Sequence, residues 1–189
     1  AHHFYLFGQL SGLKKNKVDV RIYTNSKTED PEINGVNFYQ FFGNLFSSRF
    51  RFIKGIQYVF GVIKSVLHAR FSGVELFHFH IFYINILVVF NFLLVRLLLG
   101  RIVLTVHDVS SFETEGHSSS FIAWAYKLAD LILTHNNFSR KEISSISPSL
   151  KNRIMLVPHG NYTPFINIRK DQKRSREYLG LPTDKTILL

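Results

Sequence analysis

Histidine is the side chain that gains and loses a proton nearest neutral pH, and it also hydrogen-bonds phosphate and sugar oxygens. Four of the nine histidines in this chain stand where an apolar run ends. Ile102-Val103-Leu104-Thr105-Val106 leads into His107-Asp108. Residues 74–79 lead to His80, Leu131-Ile132-Leu133-Thr134 leads to His135, and residues 154–158 lead to His159. Such runs read as buried strands, each delivering a histidine at its carboxyl end. In open parallel α/β sheets, ligands bind outside those ends. His107 is therefore the leading candidate for catalysis, with Asp108 placed either to orient its ring or to cap the next segment. The structural alternative is a loop histidine whose ring is satisfied locally.

The neighbouring residues carry weaker signals. His78 and His80 are two apart and share one strand face. His107, His135 and His159 lie on other strands, spaced about 4.8 Å apart, so they are not expected to converge on one ion. No cysteine is present, and no nearby carboxylate completes a four-ligand set, so no metal is expected. Asn136, Asn137, Ser139 and Arg140 open a helix directly after a strand. Free N–H groups there can hold an anion; the plainer reading is capping by Asn137 and Ser139. His2, His3 and His68 fall on helices and read as structural or exposed, and His117 reads as a loop residue. The sequence has no G-x-S-x-G, Walker A or G-x-G-x-x-G motif, so serine hydrolase, P-loop and dinucleotide-binding readings lack their key feature.

The positions of these residues depend on an alternating series of elements. Apolar spacing predicts helices over 3–16, 49–69, 84–99, 119–129 and 137–146, and strands over 18–23, 36–41, 74–79, 101–106, 131–134 and 153–157. Strands alternating with helices imply an α/β fold: a Rossmann-like parallel sheet with helices on both faces. A wound sheet usually has a strand before its first helix. None is visible before residue 3, so the first strand is expected to be missing and the natural chain to extend further. In the common strand order 3-2-1-4-5 that strand is central. Its absence would leave a gap between strands 18–23 and 74–79. Residues 1–160 are expected to form this domain. Residues 161–189 read as a polar linker, a short helix over 174–179 stopped by Gly180, and the opening strand of a second domain from Lys185.

Length and composition limit the partners. The chain has 189 residues, is 46% hydrophobic and 19% charged, and carries a formal charge of +10. It is long enough for one domain with a proper core and too apolar to be disordered. The basic residues fall in short clusters, with no zinc-finger or RNP-like motif, so nucleic acid is not an expected partner. Phosphorylated ligands and anionic lipid remain. Residues 81–99 are about long enough to span a bilayer. Asn85, Asn91 and Arg96 interrupt them, which favours a buried crossover helix. The basic, aromatic helix over 49–69 is the better candidate for an interfacial surface.

Taken in order, four segments resemble one family. They are Val103-Leu104-Thr105-Val106-His107-Asp108, residues 128–136, Val157-Pro158-His159-Gly160, and Leu179-Gly180-Leu181-Pro182. The resemblance is to the N-terminal half of retaining GT-B glycosyltransferases and covers the whole chain. It implies an acceptor-binding domain facing a second, nucleotide-sugar-binding domain across a cleft, with no bound metal or other cofactor. It implies a donor-contacting role for His107. It also implies that Asn136, Asn137 and Ser139 line the cleft, and that His159 and Gly160 form the junction into the hinge. The family's first strand with its glycine-bearing loop, and its paired glutamates in the second domain, have no counterpart here. The 189 residues alone are therefore not expected to turn over a sugar donor.

The resulting expectation is a glycosyltransferase acting on a nucleotide-sugar and a glycan or lipid-linked acceptor. It would be cytoplasmic or peripheral on the cytoplasmic face of the inner membrane. His107 would be catalytic, and Asp108, His80, His135, Asn136, Asn137, Ser139, His159 and Gly160 would bind substrate. The alternatives are a non-catalytic α/β module for a phosphorylated ligand or anionic lipid, and a single-span membrane protein built around 81–99.

Overall fold

The computed structural model describes residues 2–30, 32–43, 51–107, 119–159 and 171–186. Helix α1 (His2–Lys15) is followed by β1 (Val20–Tyr23) and β2 (Val36–Tyr39). Next come α2 (Arg51–Phe71), β3 (Leu76–Ile81), α3 (Ile86–Leu97), β4 (Arg101–Val106), α4 (Ser119–Lys127), β5 (Leu131–Thr134) and α5 (Asn137–Ile146). A 3-10 turn (Pro148–Arg153) leads into β6 (Ile154–Leu156), and α6 is Gln172–Tyr178. The fold is α/β and Rossmann-like: parallel strands flanked by helices.

The strands form two parallel sheets, β1-β2 and β3-β4-β5-β6. In the larger sheet His80 pairs with Thr105, Val106 with Thr134, and Thr134 with Leu156. The β1-β2 pair is parallel with no helix between its strands among the described residues.

Alternation along β3 sorts the two faces. Phe79 meets Phe92 of α3 on one side, with ring centroids 5.3 Å apart. Ile102, Leu104 and Val106 are in register with Phe77, Phe79 and Ile81 and face the same way. Together with Phe92, Val95, Ala125, Ile132 and Ile143 they make the main core. His78 and His80 point to the opposite face, which α1 covers; Gln9 and Tyr5 of that helix reach them. Leu104 and its neighbour Val103 are both buried, so β4 is covered on both sides. Burying such a face supplies most of a helix's stability in a protein.

Several boundaries move from the sequence expectation. The strand expected at 74–79 runs from Leu76 to Ile81, so His80 lies inside the ladder rather than after it. Alternating Phe and His side chains leave the backbone free to keep pairing with β4. The segment 81–99 divides into the last residue of β3, a loop, the twelve-residue α3 and a turn. Among the described residues no helix is long and apolar enough to cross a membrane. Asn85 caps α3 by accepting a hydrogen bond from the Val88 N–H at 2.9 Å. Leu99 ends it in a left-handed conformation, φ 57°.

The amino edge of the large sheet is tied by Asp130. Its carboxylate accepts from the Ile102 N–H at 2.7 Å and pairs with Arg96 at 2.9 Å. Arg96 also donates to the Leu128 carbonyl at 2.8 Å. In α6 no residue is buried, and Arg176 donates to the carbonyls of Pro182, Thr183 and Lys185. The strand expected from Lys185 onward falls mostly outside the described residues.

Candidate functional site

The carboxyl edge of the large sheet gathers four imidazoles around one phenol ring. Parallel pairing sets their spacing. His107 follows β4 directly, and its N–H donates to the Ile81 carbonyl at 3.0 Å. His135 follows β5 directly, and His159 lies three residues past β6. Tyr5, near the start of α1, packs against all four rings, its centroid 5.6 Å from His80, 5.3 Å from His107, 5.3 Å from His135 and 4.8 Å from His159.

The histidines also meet one another. His80 Nδ1 is 3.3 Å from His107 Nε2. The His107 and His135 rings are 5.1 Å apart, and those of His135 and His159 are 5.0 Å apart. Phe82 stacks on His107 at 4.6 Å with an interplanar angle of 13°. The row continues to His78, whose ring stacks on His80 at 4.7 Å. Four adjacent strands thus deliver their histidines into one row along the sheet edge. The contacts are mostly ring to ring, and among the described residues no three His, Asp or Glu side chains converge as metal ligands.

Hydrogen bonds assign tautomers. The Gln9 amide nitrogen only donates, so His78 Nδ1 accepts at 3.4 Å and His78 Nε2 donates to Thr105 Oγ1 at 2.8 Å. His135 Nδ1 donates to the Val157 carbonyl at 2.9 Å. In neutral His135 that leaves Nε2 with its lone pair, and this atom is buried without a partner. Burial, then the charge of His107, lowers the pKa of His78 to about 4. Burial, then His78, His107 and His135, lowers that of His80 to about 3. Neutral imidazoles that both donate and accept suit hydroxyl-rich ligands. An anion placed among them would offset the burial that keeps them uncharged.

Of the sequence candidates, the structure brings His80, His107, His135 and His159 together. Asn136 is the helix cap: its Oδ1 accepts from the Ser139 N–H at 2.8 Å. Capping therefore falls to Asn136, not to Asn137 or Ser139, because Asn136 keeps the extended backbone a cap needs while Asn137 is already helical. Asn137 is exposed, and the Ser139 side chain is buried. Asp108, Gly160 and His117 lie outside the described residues, as do the side chains of His2 and His3. His68, read from sequence as structural or exposed, lies 2.9 Å from the Tyr23 hydroxyl, beneath Tyr39 and Phe41.

Sequence reasoning missed Tyr5, Gln9, Thr105 and Phe82. Tyr5 and Gln9 fall off the Phe4, Phe7, Leu10, Leu13 spacing from which the sequence predicts a helix over 3–16. The signal that could have exposed them is the polar face of β3: a helix covering His78 and His80 must offer them partners.

No protein-family model and no curated protein matches this chain. Its class is the one the fold defines, a Rossmann-like α/β protein with a histidine row at the carboxyl edge of its sheet.

Proposed function

We propose that the protein is the acceptor-side domain of a glycosyltransferase that moves a sugar from a nucleotide-sugar to a glycan or lipid-linked acceptor. The observation that carries this reading is the histidine row where strands, helices and an N-terminal helix meet, the region where α/β sheets bind ligands. His107 is central in it, touching His80, Tyr5, Phe82 and His135. As a donor it would stabilise charge on the leaving diphosphate, which forms in the transition state. His135 Nε2 offers an acceptor for a sugar hydroxyl. Retention of anomeric configuration follows the family resemblance. The test is a titration of the imidazole resonances with nucleoside-diphosphate sugars. Shifts at His107 and His135 that vanish in His107→Ala support the reading. No response to any donor at millimolar concentration overturns it.

One feature favours a second reading, a module bound to an anionic lipid surface. Phe52, Ile56 and Phe60 fall one turn apart on α2, and all are exposed, Phe52 by 78% and Phe60 by 68%. Contiguous apolar surface of this kind marks interaction sites, and with basic neighbours it suits an interfacial helix. Sedimentation with vesicles containing phosphatidylserine separates the readings. The lipid module binds vesicles and ignores nucleotide-sugars; a peripheral glycosyltransferase responds to both.

A further inference from the structure

Helices α2 and α3 cover the same side of the large sheet. Val62 and Val66 of α2 join Phe92 and Val95 of α3 in the main core. Arg70, in the last turn of α2, donates to the Leu98 carbonyl just after α3 at 2.7 Å. Helices on the outside of a domain are apolar inward and polar outward. Neither helix follows that pattern.

On α2, Phe52, Ile56, Phe60, Ile63, Leu67 and Phe71 recur three or four residues apart and form one stripe from end to end. Val62, Val66 and Ala69 carry the buried side, so this stripe is the outer one. Phe52, Phe60 and Phe71 are each more than two-thirds exposed. On α3, Ile86, Phe90, Leu93 and Leu97 form a second outer stripe, and Ile86 and Leu97 are equally open. All of α3 except Asn91 and Arg96 is apolar. A helix apolar all round is normally covered all round. A groove of about 320 Å³ joins the stripes, lined by Phe52, Gly55, Ile56, Val59 and Phe60 of α2 and Leu87 of α3. A Cβ at Gly55 would meet nothing within 4 Å, so the groove is open there.

The two stripes carry no charge. Neither helix contains an aspartate or glutamate, and their cations point elsewhere. Lys64 lies over the Phe41 ring at 4.2 Å. Arg70 and Arg96 bond backbone carbonyls, and Arg96 also pairs with Asp130. Lys54 is two residues from both Phe52 and Ile56, which turns it to the other side of α2. An interfacial lipid helix presents cations to the headgroups. The centre of a protein interface is instead rich in aromatic residues and poor in charge, as this face is. Its size also fits. At about 150–250 Å² for a whole aromatic side chain, the three phenylalanines alone expose roughly 450 Å². With Ile53, Ile56, Ile86, Leu93 and Leu97 added, the face reaches the order of 800 Å² that each partner gives to a stable interface.

We propose that the outer face of α2 and α3 binds the same face of a second copy of this chain. A two-fold interface must be complementary to itself. This one face holds both a knob, the Phe60 ring, and a hole, the groove over Gly55. With the two α2 helices antiparallel across the axis, Phe60 of each copy enters the groove of the other, and Ile56 lies close to the axis. The histidines are on the opposite side of the sheet, under α1, so pairing leaves them clear. The inference stands apart from the proposed activity.

The chain contains no cysteine, so introduced ones report contact cleanly. Ile56→Cys should cross-link into dimers with a short bismaleimide, and Ser145→Cys, exposed on α5, should not. Sedimentation velocity should show a dimer at about 100 µM, since interfaces of this size hold at micromolar concentration or tighter. Phe60→Asp and Leu93→Asp, both at exposed positions, should each leave a monomer at that concentration with a native circular-dichroism spectrum. A wild-type monomer, a dimer that both variants leave intact, or equal cross-linking at the two cysteine positions would overturn the proposal. So would a monomer that floats with phosphatidylserine vesicles and ceases to float as Phe60→Asp, which would assign the face to lipid.

Discussion

His80 Nδ1 sits 3.3 Å from His107 Nε2, so the end of β3 and the residue after β4 share one hydrogen bond between two imidazoles. One ring donates and the other accepts, and the pair is held by packing under Tyr5. Protonating both rings would place two cations side by side in a half-buried site and leave no acceptor between them. Burial holds His78 and His80 as neutral rings, so their end of the row responds to pH.

Both His78 and His80 titrate below their ordinary value of 6.5, near 4 and 3, chiefly through burial. A group whose folded pKa is lower than its unfolded one binds its proton first in the unfolded chain. The stability from these two neutral rings is thus fully present above pH 6.5 and is lost as pH falls from there toward 4 and 3. Urea denaturation across pH 7 to 4 should show falling stability, with a slope approaching two protons. His78→Gln and His80→Gln together should flatten that slope.

Under the proposed activity, and in an enzyme that includes the nucleotide-sugar-binding domain, His107→Ala should lower kcat by about 10²-fold, the usual loss when one donor to developing charge is removed. The circular-dichroism spectrum should stay native, because the His107 side chain is at the sheet edge. Turnover equal to wild type would remove His107 from the chemistry.

Asp130 is a different case. Burial raises its pKa, but the Arg96 hydrogen bond, the Ile102 N–H and the charges of Arg96 and Arg153 outweigh it and leave a net lowering. Its contribution is present above the unfolded carboxylate pKa and lost as pH falls through the folded one. The Arg96–Asp130 pair is partly solvent-exposed, so screening reduces its worth. Asp130→Asn should cost about 1 kcal/mol at neutral pH and almost nothing at pH 2. Thermal melts at the two pH values check both signs.

Gly100 joins α3 to β4 where no side chain fits. A Cβ there would lie 2.7 Å from Val95 Cγ1 and 2.9 Å from Phe77 Cε2. Gly100→Ala should destabilise by about 1–3 kcal/mol, the usual cost of overpacking a filled site. A melting temperature equal to wild type would show that Val95 and Phe77 move aside without penalty.

The α/β alternation from residue 74 onward was legible because period-two and period-3.6 patterns alternate cleanly there. His107 and His135 were legible for the same reason: each abuts the end of a strongly apolar strand. The split sheet was also foreshadowed, since α1 precedes β1 with no strand visible before it. The convergence of the histidines was not legible. Strand spacing argued only against their meeting at one ion and said nothing of ring-to-ring contact. Tyr5, which fills the space between the rings, comes from a helix about a hundred residues away from His107 in sequence. Sequence periodicity reports which face a residue takes on its own element, not what a distant helix lays across it.

The split between β1-β2 and β3-β4-β5-β6 also bears on how the chain assembles. Within the larger sheet every strand pairs with the next in sequence, with register partners 22 to 28 residues apart across each helical crossover. Among the described residues no ladder joins the smaller sheet to it. The two sheets are therefore expected to open as separate cooperative units. Denaturant should release β1-β2 and α1 first and leave the β3–β6 unit as the last part to open, and that order would set which amides are still protected when the histidine row has already lost its lid.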